Sequence, residues 1–257
     1  MLKIVSDHSI DMSVTFNIIF WRGFDFEARL KNLQFTTVKI KQFSDYCNSR
    51  GIDSRVLIFD FSENKEIANS IHVPYPINEY RRSEKINRVL EYNKLNICPD
   101  VFCLLDSDIF FLDNDYSSLC NLITGVENKQ IFQSNVFDIQ NLSGIDFDNY
   151  TATGMQTIFR EVAGIGGFWI VKFNEVFSIG GYDERFTVWG GEDDNLATRM
   201  KNNGCTIGKV PASIYHLPHA SLQNNIHHRA QYYNQCRLLR VSETVTRHSI
   251  ITNKYLV

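Results

Sequence analysis

Short runs of apolar residues alternate along the first hundred positions with longer stretches in which apolar side chains recur every three or four residues. Val14 to Trp21 (VTFNIIFW) is β-branched and aromatic and predicts a strand; Leu30, Leu33 and Phe43 then lie on one face of a helix that ends before Arg50-Gly51. Arg55 to Phe61 (RVLIFDF) is a second strand. A polar turn and the Pro74-Tyr75-Pro76 break lead into a helix over Arg82 to Lys94, with Ile86, Val89 and Leu90 facing inward. Val101 to Leu105 is the third strand. Strands joined through helices predict a parallel sheet covered on both faces, because a parallel connection needs a crossover and the crossover covers the sheet. The fold class is α/β.

Regularity falls after residue 110. Residues 136–162 are rich in Asn, Asp, Ser, Thr and Gly and are expected to form a long functional loop with short elements. A glycine-rich strand comes next, over Gly164 to Lys172, then a short helix from Asn174 to Ile179, a turn at Gly180-Gly181 and a helix starting near Glu192. A last helix is expected between Leu222 and Arg240. With no internal repeat and no low-complexity linker, residues 1–257 are expected to form a single composite domain.

Composition narrows the class. At 257 residues and 44% hydrophobic content the chain buries a substantial core. A formal charge of -3 gives no general attraction for nucleic acid. The longest apolar runs, Val101 to Leu105 and Gly167 to Val171, are of strand length, well short of the ~20 residues of a membrane-spanning helix. The opening residues show no basic segment followed by an apolar one, and the six cysteines are scattered without CxxC spacing, so reduced thiols in a cytoplasmic protein are expected.

Two acidic motifs carry candidate chemistry. In VFCLLDSDIFF, five apolar residues run directly into Asp106-Ser107-Asp108, at the carboxyl end of a strand, where open parallel sheets bind ligands. Adjacent carboxylates raise each other's pKa unless a cation neutralises them, which makes a hard divalent metal their natural companion. An Asx-turn that merely caps the strand would use the same residues.

The second motif, Val188-Trp189-Gly190-Gly191-Glu192-Asp193-Asp194, is more specific. The glycines permit positive φ or close approach, and three acids then open a helix that continues with Leu196 and Met200. An acid stabilises a helix start by about 0.3–1 kcal/mol. Successive helical side chains splay by about 100°, however, so one cap cannot use all three. Trp189 beside carboxylates suits a sugar, by stacking on its apolar face, although an ordinary core tryptophan would look the same.

Together the strand-DSD element, GIGGFWIVKFNEVFSIGGYDERF and WGGEDDN resemble the inverting GT-A glycosyltransferases, in particular the galactosyltransferase carboxyl-terminal module and bacterial chondroitin-polymerase-like enzymes. The likeness is strong from Gly164 to Met200, fair around Asp106 to Asp108 and faint elsewhere. It implies a mostly parallel, Rossmann-like GT-A sheet flanked by helices. In it, residues 14–112 bind the nucleotide sugar, 113–220 hold acceptor and catalytic groups, and 221–257 form a helical tail. It further implies that Asp108 and Asp106 serve a Mn²⁺ or Mg²⁺ ion, with Asp106 also near the ribose, and that Asp193 is the base toward the acceptor hydroxyl. Trp189, Gly191, Glu192 and Asp194 would hold the acceptor; Arg22, Asp60 and Lys85 would contact the UDP-sugar donor. His216, in the stretch Ser213-Ile-Tyr-His216-Leu-Pro-His219, matches the family's metal histidine, with His219 in reserve. Phe20-Trp21 replaces the family's proline-containing turn.

The likeness thus implies a hexosyltransferase using UDP-galactose or a UDP-N-acetylhexosamine. Its acceptor would be a glycan hydroxyl in surface polysaccharide synthesis, and it would be cytoplasmic with peripheral contact at the inner membrane through the basic tail. A sugar nucleotidyltransferase would share the sheet and the acids but is expected to show a glycine-rich, basic phosphate loop near the amino end, which is missing. A noncatalytic carbohydrate-binding protein would keep Trp189 and the acids but ignore the nucleotide.

Overall fold

The computed structural model describes residues 12–21, 25–76, 81–161, 166–187 and 191–219. The first half contains β1 (Ser13–Phe20), α1 (Phe26–Ser49), β2 (Asp53–Asp60), β3 (Ile71–His72), α2 (Arg82–Asn96), β4 (Val101–Asp106) and β5 (Ile109–Phe111). The second contains α3 (Tyr116–Gly125), β6 (Gln130–Gln133), β7 (Val136–Ile139), β8 (Ile145–Asp146), β9 (Thr151–Ala152) and β10 (Thr157–Arg160). It continues with β11 (Phe168–Lys172), α4 (Phe173–Ser178), α5 (Glu192–Asn202), β12 (Thr206–Lys209) and β13 (Ile214–His216).

Seven strands form the central sheet in the order β12-β6-β11-β4-β1-β2-β3. Pairing is parallel from β4 through β1 and β2 to β3, and β11 alone runs against its neighbours β4 and β6. This mixed, largely parallel sheet draws strands from both halves of the chain, so the halves share one core.

Period-two geometry divides that core into two layers. Val101, Cys103 and Leu105 of β4, with Val14, Phe16, Ile18 and Phe20 of β1, face α1 and α3 through Leu33, Ile40, Phe43 and Leu119. Phe102 and Leu104 face the other way, toward Ile86, Val89 and Leu90 of α2 and Leu196 and Met200 of α5. A polar bolt crosses the second layer: Asn93 of α2 donates to Asn17 of β1 (2.8 Å), which donates to the Cys103 carbonyl (3.1 Å). Buried amides with matched partners fix the register of a helix on a sheet in a way apolar contacts do not.

A second sheet, β10-β7-β13-β5, stands beside the first. Two of its four strands come from the stretch expected to be a long loop with short elements. Residues 136–162 supply β7 and β10 to it and β8 and β9 to a separate two-stranded sheet, and β10 is an edge strand with Ile158 and Phe159 exposed. A strand with solvent on one side and no following strand carries too few apolar residues for periodicity to reveal it. β6, β12 and β13, of three or four residues each, were likewise hidden by their shortness, and α3 was not predicted. The expected helix between Leu222 and Arg240 lies outside the described residues, and among the described residues no helix is long and apolar enough to cross a membrane.

Candidate metal and catalytic site

The carboxyl ends of β1, β2 and β4 lie side by side, Phe20 opposite Asp60 and Ile19 opposite Asp106. Asp106 is the last residue of β4, and Ser107-Asp108 turn the chain into β5. The two acids of the motif therefore take different partners. Asp106 receives Arg82 Nη2 at 2.9 Å, whereas Asp108 lies against two histidines, His219 Nε2 at 2.9 Å and His216 Nε2 at 3.6 Å.

Arg82, at the first turn of α2, also reaches Asp193: Nη1 donates to Asp193 Oδ1 at 2.8 Å. One guanidinium thus joins the end of β4 to the start of α5, residues far apart in sequence. Tyr182 Oη donates to the same Asp193 oxygen at 2.9 Å, which fixes its position from a second direction. Tyr182 is itself held by Asn87 of α2, which accepts from its backbone N–H (2.7 Å) and donates to its carbonyl (2.9 Å). Gly181 has φ +68° and packs so closely on Asn87 and Leu90 that a side chain has no room.

The N-cap of α5 is Gly191, in the left-handed region at φ 91°, and no side-chain cap hydrogen bond forms. Its geometry explains the glycine: a non-glycine residue is strained there. Glu192 is buried, while Asp193 and Asp194 are partly exposed.

Asp108, His216 and His219 form a group whose ligand atoms lie within 4.8 Å of one another. Each is placed by a different element. His216 ends β13, paired with Ile109 of β5 and Asp138 of β7. His219 follows Pro218, whose carbonyl accepts from Asn32 of α1 (3.1 Å), and Arg29 of α1 lies 3.1 Å from His219 Nδ1. Burial alone would raise the Asp108 carboxyl, but the neighbouring His216 and His219, with Arg29, draw it down to about 2. Burial disfavours charge on His216, yet Asp108 and Asp138 together lift its pKa above the ordinary value. Asp106 moves the other way from Asp108: burial pushes it up, and Arg82 only partly offsets this. A carboxylate flanked by two imidazoles is a donor set that could hold a divalent cation.

The other residues singled out from sequence have these surroundings. Asp60 is fully buried and committed to its own loop: it accepts from Ser62 Oγ (2.5 Å) and from the backbone N–H of Glu66 (2.8 Å) and Ile67 (3.0 Å). Lys85 is buried between two aromatic faces, its ammonium 4.5 Å from the Trp21 ring centre and 4.6 Å from that of Tyr75. Arg22 and Trp189 lie outside the described residues. Sequence reasoning missed Arg82, Tyr182 and Asp138. Arg82 lay within an expected helix with nothing to mark it from Arg81, and the partners of all three are distant in the chain.

Comparison with known proteins agrees with the architecture. Residues 153–220, which include the α5 acids and both histidines, match the family described as the N-terminal domain of galactosyltransferase. No curated protein sequence matches the chain significantly. Among solved structures, GalNAc-T7 with UDP, GalNAc and Mn²⁺ superimposes with a TM-score of 0.55 at 14% identity. That match covers 82% of this chain but only 44% of the other, so the chain spans less than half the length of that protein. The catalytic domain of Drosophila beta1,4galactosyltransferase 7 complexed with xylobiose gives 0.50 at 11% identity, over 84% of this chain and 79% of that one. A mutant of the same Drosophila enzyme with manganese, UDP-Gal and xylobiose gives 0.50 at 12%, over 85% and 73%. The chain has the GT-A fold of these glycosyltransferases, with its galactosyltransferase likeness concentrated in the segment that carries Asp193, His216 and His219.

Proposed function

We propose that the protein is a metal-dependent, inverting glycosyltransferase that moves a hexose or N-acetylhexosamine from a UDP-sugar to a hydroxyl of a glycan acceptor. The observation that carries this reading is the meeting of two acidic sets from distant parts of the chain. Arg82 spans Asp106 and Asp193, and Asp108, one residue beyond Ser107, stands with two histidines.

The residues present fit a divalent cation. Asp108 and His216 would hold it, with His219 beside them as a hydrogen-bond donor to Asp108, and an imidazole ligand suits Mn²⁺ better than Mg²⁺, which prefers oxygen ligands throughout. When bound, such an ion supplies positive charge against the diphosphate of the donor. The chain's own groups do the rest. Asp193 is the proposed base that takes the proton of the acceptor hydroxyl, a role supported by its partial exposure and by Arg82 and Tyr182, which hold it. The acceptor oxygen bonds to the anomeric carbon as the bond from that carbon to the diphosphate breaks; the proton passes to Asp193 and UDP leaves. Attack from the face opposite the leaving group inverts the centre. Fixing both substrates against β4 and α5 removes much of the entropic barrier.

Glu192, Asp194 and Gly191 at the head of α5, with Trp189, are the acceptor contacts in this reading, and Arg22, Lys85 and Asp106 the donor contacts, with Asp60 holding the loop that follows β2. The structures with UDP-Gal and with UDP and GalNAc support UDP-galactose or a UDP-N-acetylhexosamine as donor. Synthesis of a surface polysaccharide, at the cytoplasmic face of the inner membrane, is the proposed setting.

The test compares two variants by calorimetric titration with UDP and Mn²⁺ and by nucleotide release from a panel of UDP-sugars. Asp108→Asn is expected to lose Mn²⁺-dependent UDP binding. Asp193→Asn is expected to bind UDP as the wild type does and to lose transfer by 10²-fold or more, on the order of a general base's contribution. Wild-type turnover by Asp193→Asn would refute the assignment of the base.

A further inference from the structure

The second sheet does something that the fold of the first does not require. Four polar residues of this sheet and its entry are linked in series by their side chains: Arg160 on β10, Asp138 on β7, His216 on β13, and Asp108 just before β5. Asp138 and His216 are directly paired across β7 and β13, and His216 is paired with Ile109, the neighbour of Asp108. Arg160 is placed diagonally, opposite Val136 and on the same face as Asp138 two residues on. Arg160 holds Asp138 by two parallel bonds, Nε to Oδ2 at 2.6 Å and Nη2 to Oδ1 at 2.9 Å. Asp138 Oδ1 in turn lies 2.9 Å from His216 Nδ1, on the side of the ring away from Asp108. A bidentate guanidinium fork leaves a carboxylate little freedom to turn, so Asp138 is a fixed acceptor.

A fixed acceptor at Nδ1 decides what the other ring nitrogen can do. Asp138 accepts only, so the Nδ1 beside it must carry hydrogen; in neutral His216 the lone pair is then on Nε2, facing Asp108. His219 is set the opposite way. Its Nδ1 faces Arg29, which can only donate, so the neutral ring carries hydrogen on Nε2 and offers it to Asp108. Of the two histidines beside Asp108, one is therefore arranged as a lone-pair donor to a cation and the other as a hydrogen-bond donor to the carboxylate.

We infer that Asp138, locked by Arg160, is a positioning residue that presets His216 as the metal ligand of the site, so that the second sheet serves to aim one imidazole. This rests on the metal-dependent reading of the site. Its chemistry is that of a carboxylate–histidine–metal relay, in which the outer acceptor fixes ring orientation and tautomer and raises the basicity of the ligating nitrogen; losing such an acceptor typically weakens metal binding by 10–100-fold. Asp138 touches neither substrate nor metal. The extra strands β7 and β10, which the seven-stranded sheet does not need, thereby acquire a function.

The experiment titrates Mn²⁺ alone into the protein, following free Mn²⁺ by electron paramagnetic resonance. It compares wild type, His216→Ala, Asp138→Ala, Asp138→Asn and Arg160→Gln, with thermal melting as a check on folding. Asp138→Ala is expected to bind Mn²⁺ 10–100-fold more weakly than wild type. Asp138→Asn, which keeps an acceptor for Nδ1–H but loses the charge, is expected to fall in between. Arg160→Gln, at a half-exposed edge position, should lose several-fold without loss of fold. In turnover assays the Asp138 variants should need more Mn²⁺ yet approach wild-type kcat when saturated, a split that general loosening of the structure would not give. If Asp138→Ala and Asp138→Asn bind Mn²⁺ within twofold of wild type while His216→Ala does not, the relay is overturned and the metal site stands. If wild type binds no Mn²⁺, or His216→Ala binds as wild type does, the metal-dependent reading fails and the relay fails with it. Should Asp138→Ala not fold, Asp138→Asn and Arg160→Gln decide, and wild-type affinity in both overturns the relay.

Discussion

Replacing Arg82 by Met tests whether the two acidic sets meet in solution. Methionine keeps an apolar stem of similar length and removes only the guanidinium, so packing is preserved. Arg82 contacts Asp106 at 2.9 Å and Asp193 at 2.8 Å, with its side chain 11% exposed and that of Asp193 23% exposed. Exposed ion pairs couple by about 0.2–1 kcal/mol, and breaking fully buried ones costs about 3–5 kcal/mol. An intermediate pair with good geometry should couple by about 2 kcal/mol, within the range found for residues in direct contact. The assay is a cycle of wild type, Arg82→Met, Asp193→Asn and the double variant, each unfolded in urea. At a slope of about 2–3 kcal/mol/M, a coupling of this size displaces the midpoints by roughly 0.7–1 M from additivity. Each single variant should be clearly destabilised and the second change should then cost little. Additivity within about 0.5 kcal/mol would mean that Arg82 does not join β4 to α5 and would remove the geometric ground for placing Asp193 opposite the metal side.

Three other perturbations have defined outcomes. Glu91 of α2 is buried with neither carboxylate oxygen hydrogen-bonded, and burial, with the Glu184 charge beside it and only partial offset from Arg88, raises its pKa to about 7 from 4.5. Folding therefore takes up a proton between these values: the stability Glu91 contributes is complete below pH 4.5 and is lost as pH rises through about 7. Glu91→Gln should accordingly stabilise by up to about 3 kcal/mol at pH ~8.5 and by nothing near pH ~4.5, as urea midpoints across pH will show; an equal effect at both ends would refute the assignment. Gly181→Ala forces a side chain into the left-handed region and against Asn87 Oδ1, with its Cβ 2.9 Å from Leu90 Cδ1, and should lower stability by about 2–3 kcal/mol in the same assay. Asp60→Ala leaves the N–H groups of Glu66 and Ile67 without their acceptor and should cost about 2–4 kcal/mol, with faster amide exchange at those two residues; unchanged exchange there would contradict the bonding pattern.

The alternation of apolar runs and helical periodicity in residues 14–105 was enough to predict α/β architecture, because strands buried on both faces must be apolar throughout. β1, β2, β4 and α2 lie within two or three residues of their expected bounds. The DSD and WGGEDDN motifs were legible for a related reason. Consecutive acids after a buried strand, or after paired glycines, exceed what local capping can use, and α5 starts at Glu192, where it was expected, behind a left-handed Gly191. Short strands gave no such signal, so the stretch 136–162 was expected to be a long loop with short elements, and only the structure shows that its β7 and β10 join β13 and β5 in a sheet.

Residue types and local spacing thus determined by themselves that the chain is a doubly covered α/β protein with two acidic motifs, since burial and backbone conformation leave their mark within a few positions. Only the tertiary structure decided which groups meet. Asp106 and Asp108 part company at the end of β4, one to Arg82 and the other to His216 and His219, and Asp138 reaches His216 across a pair of strands 78 positions apart in sequence. Charges act through a few ångströms of space, and which residues come that close is settled by strand order and register, to which neighbours along the chain are no guide.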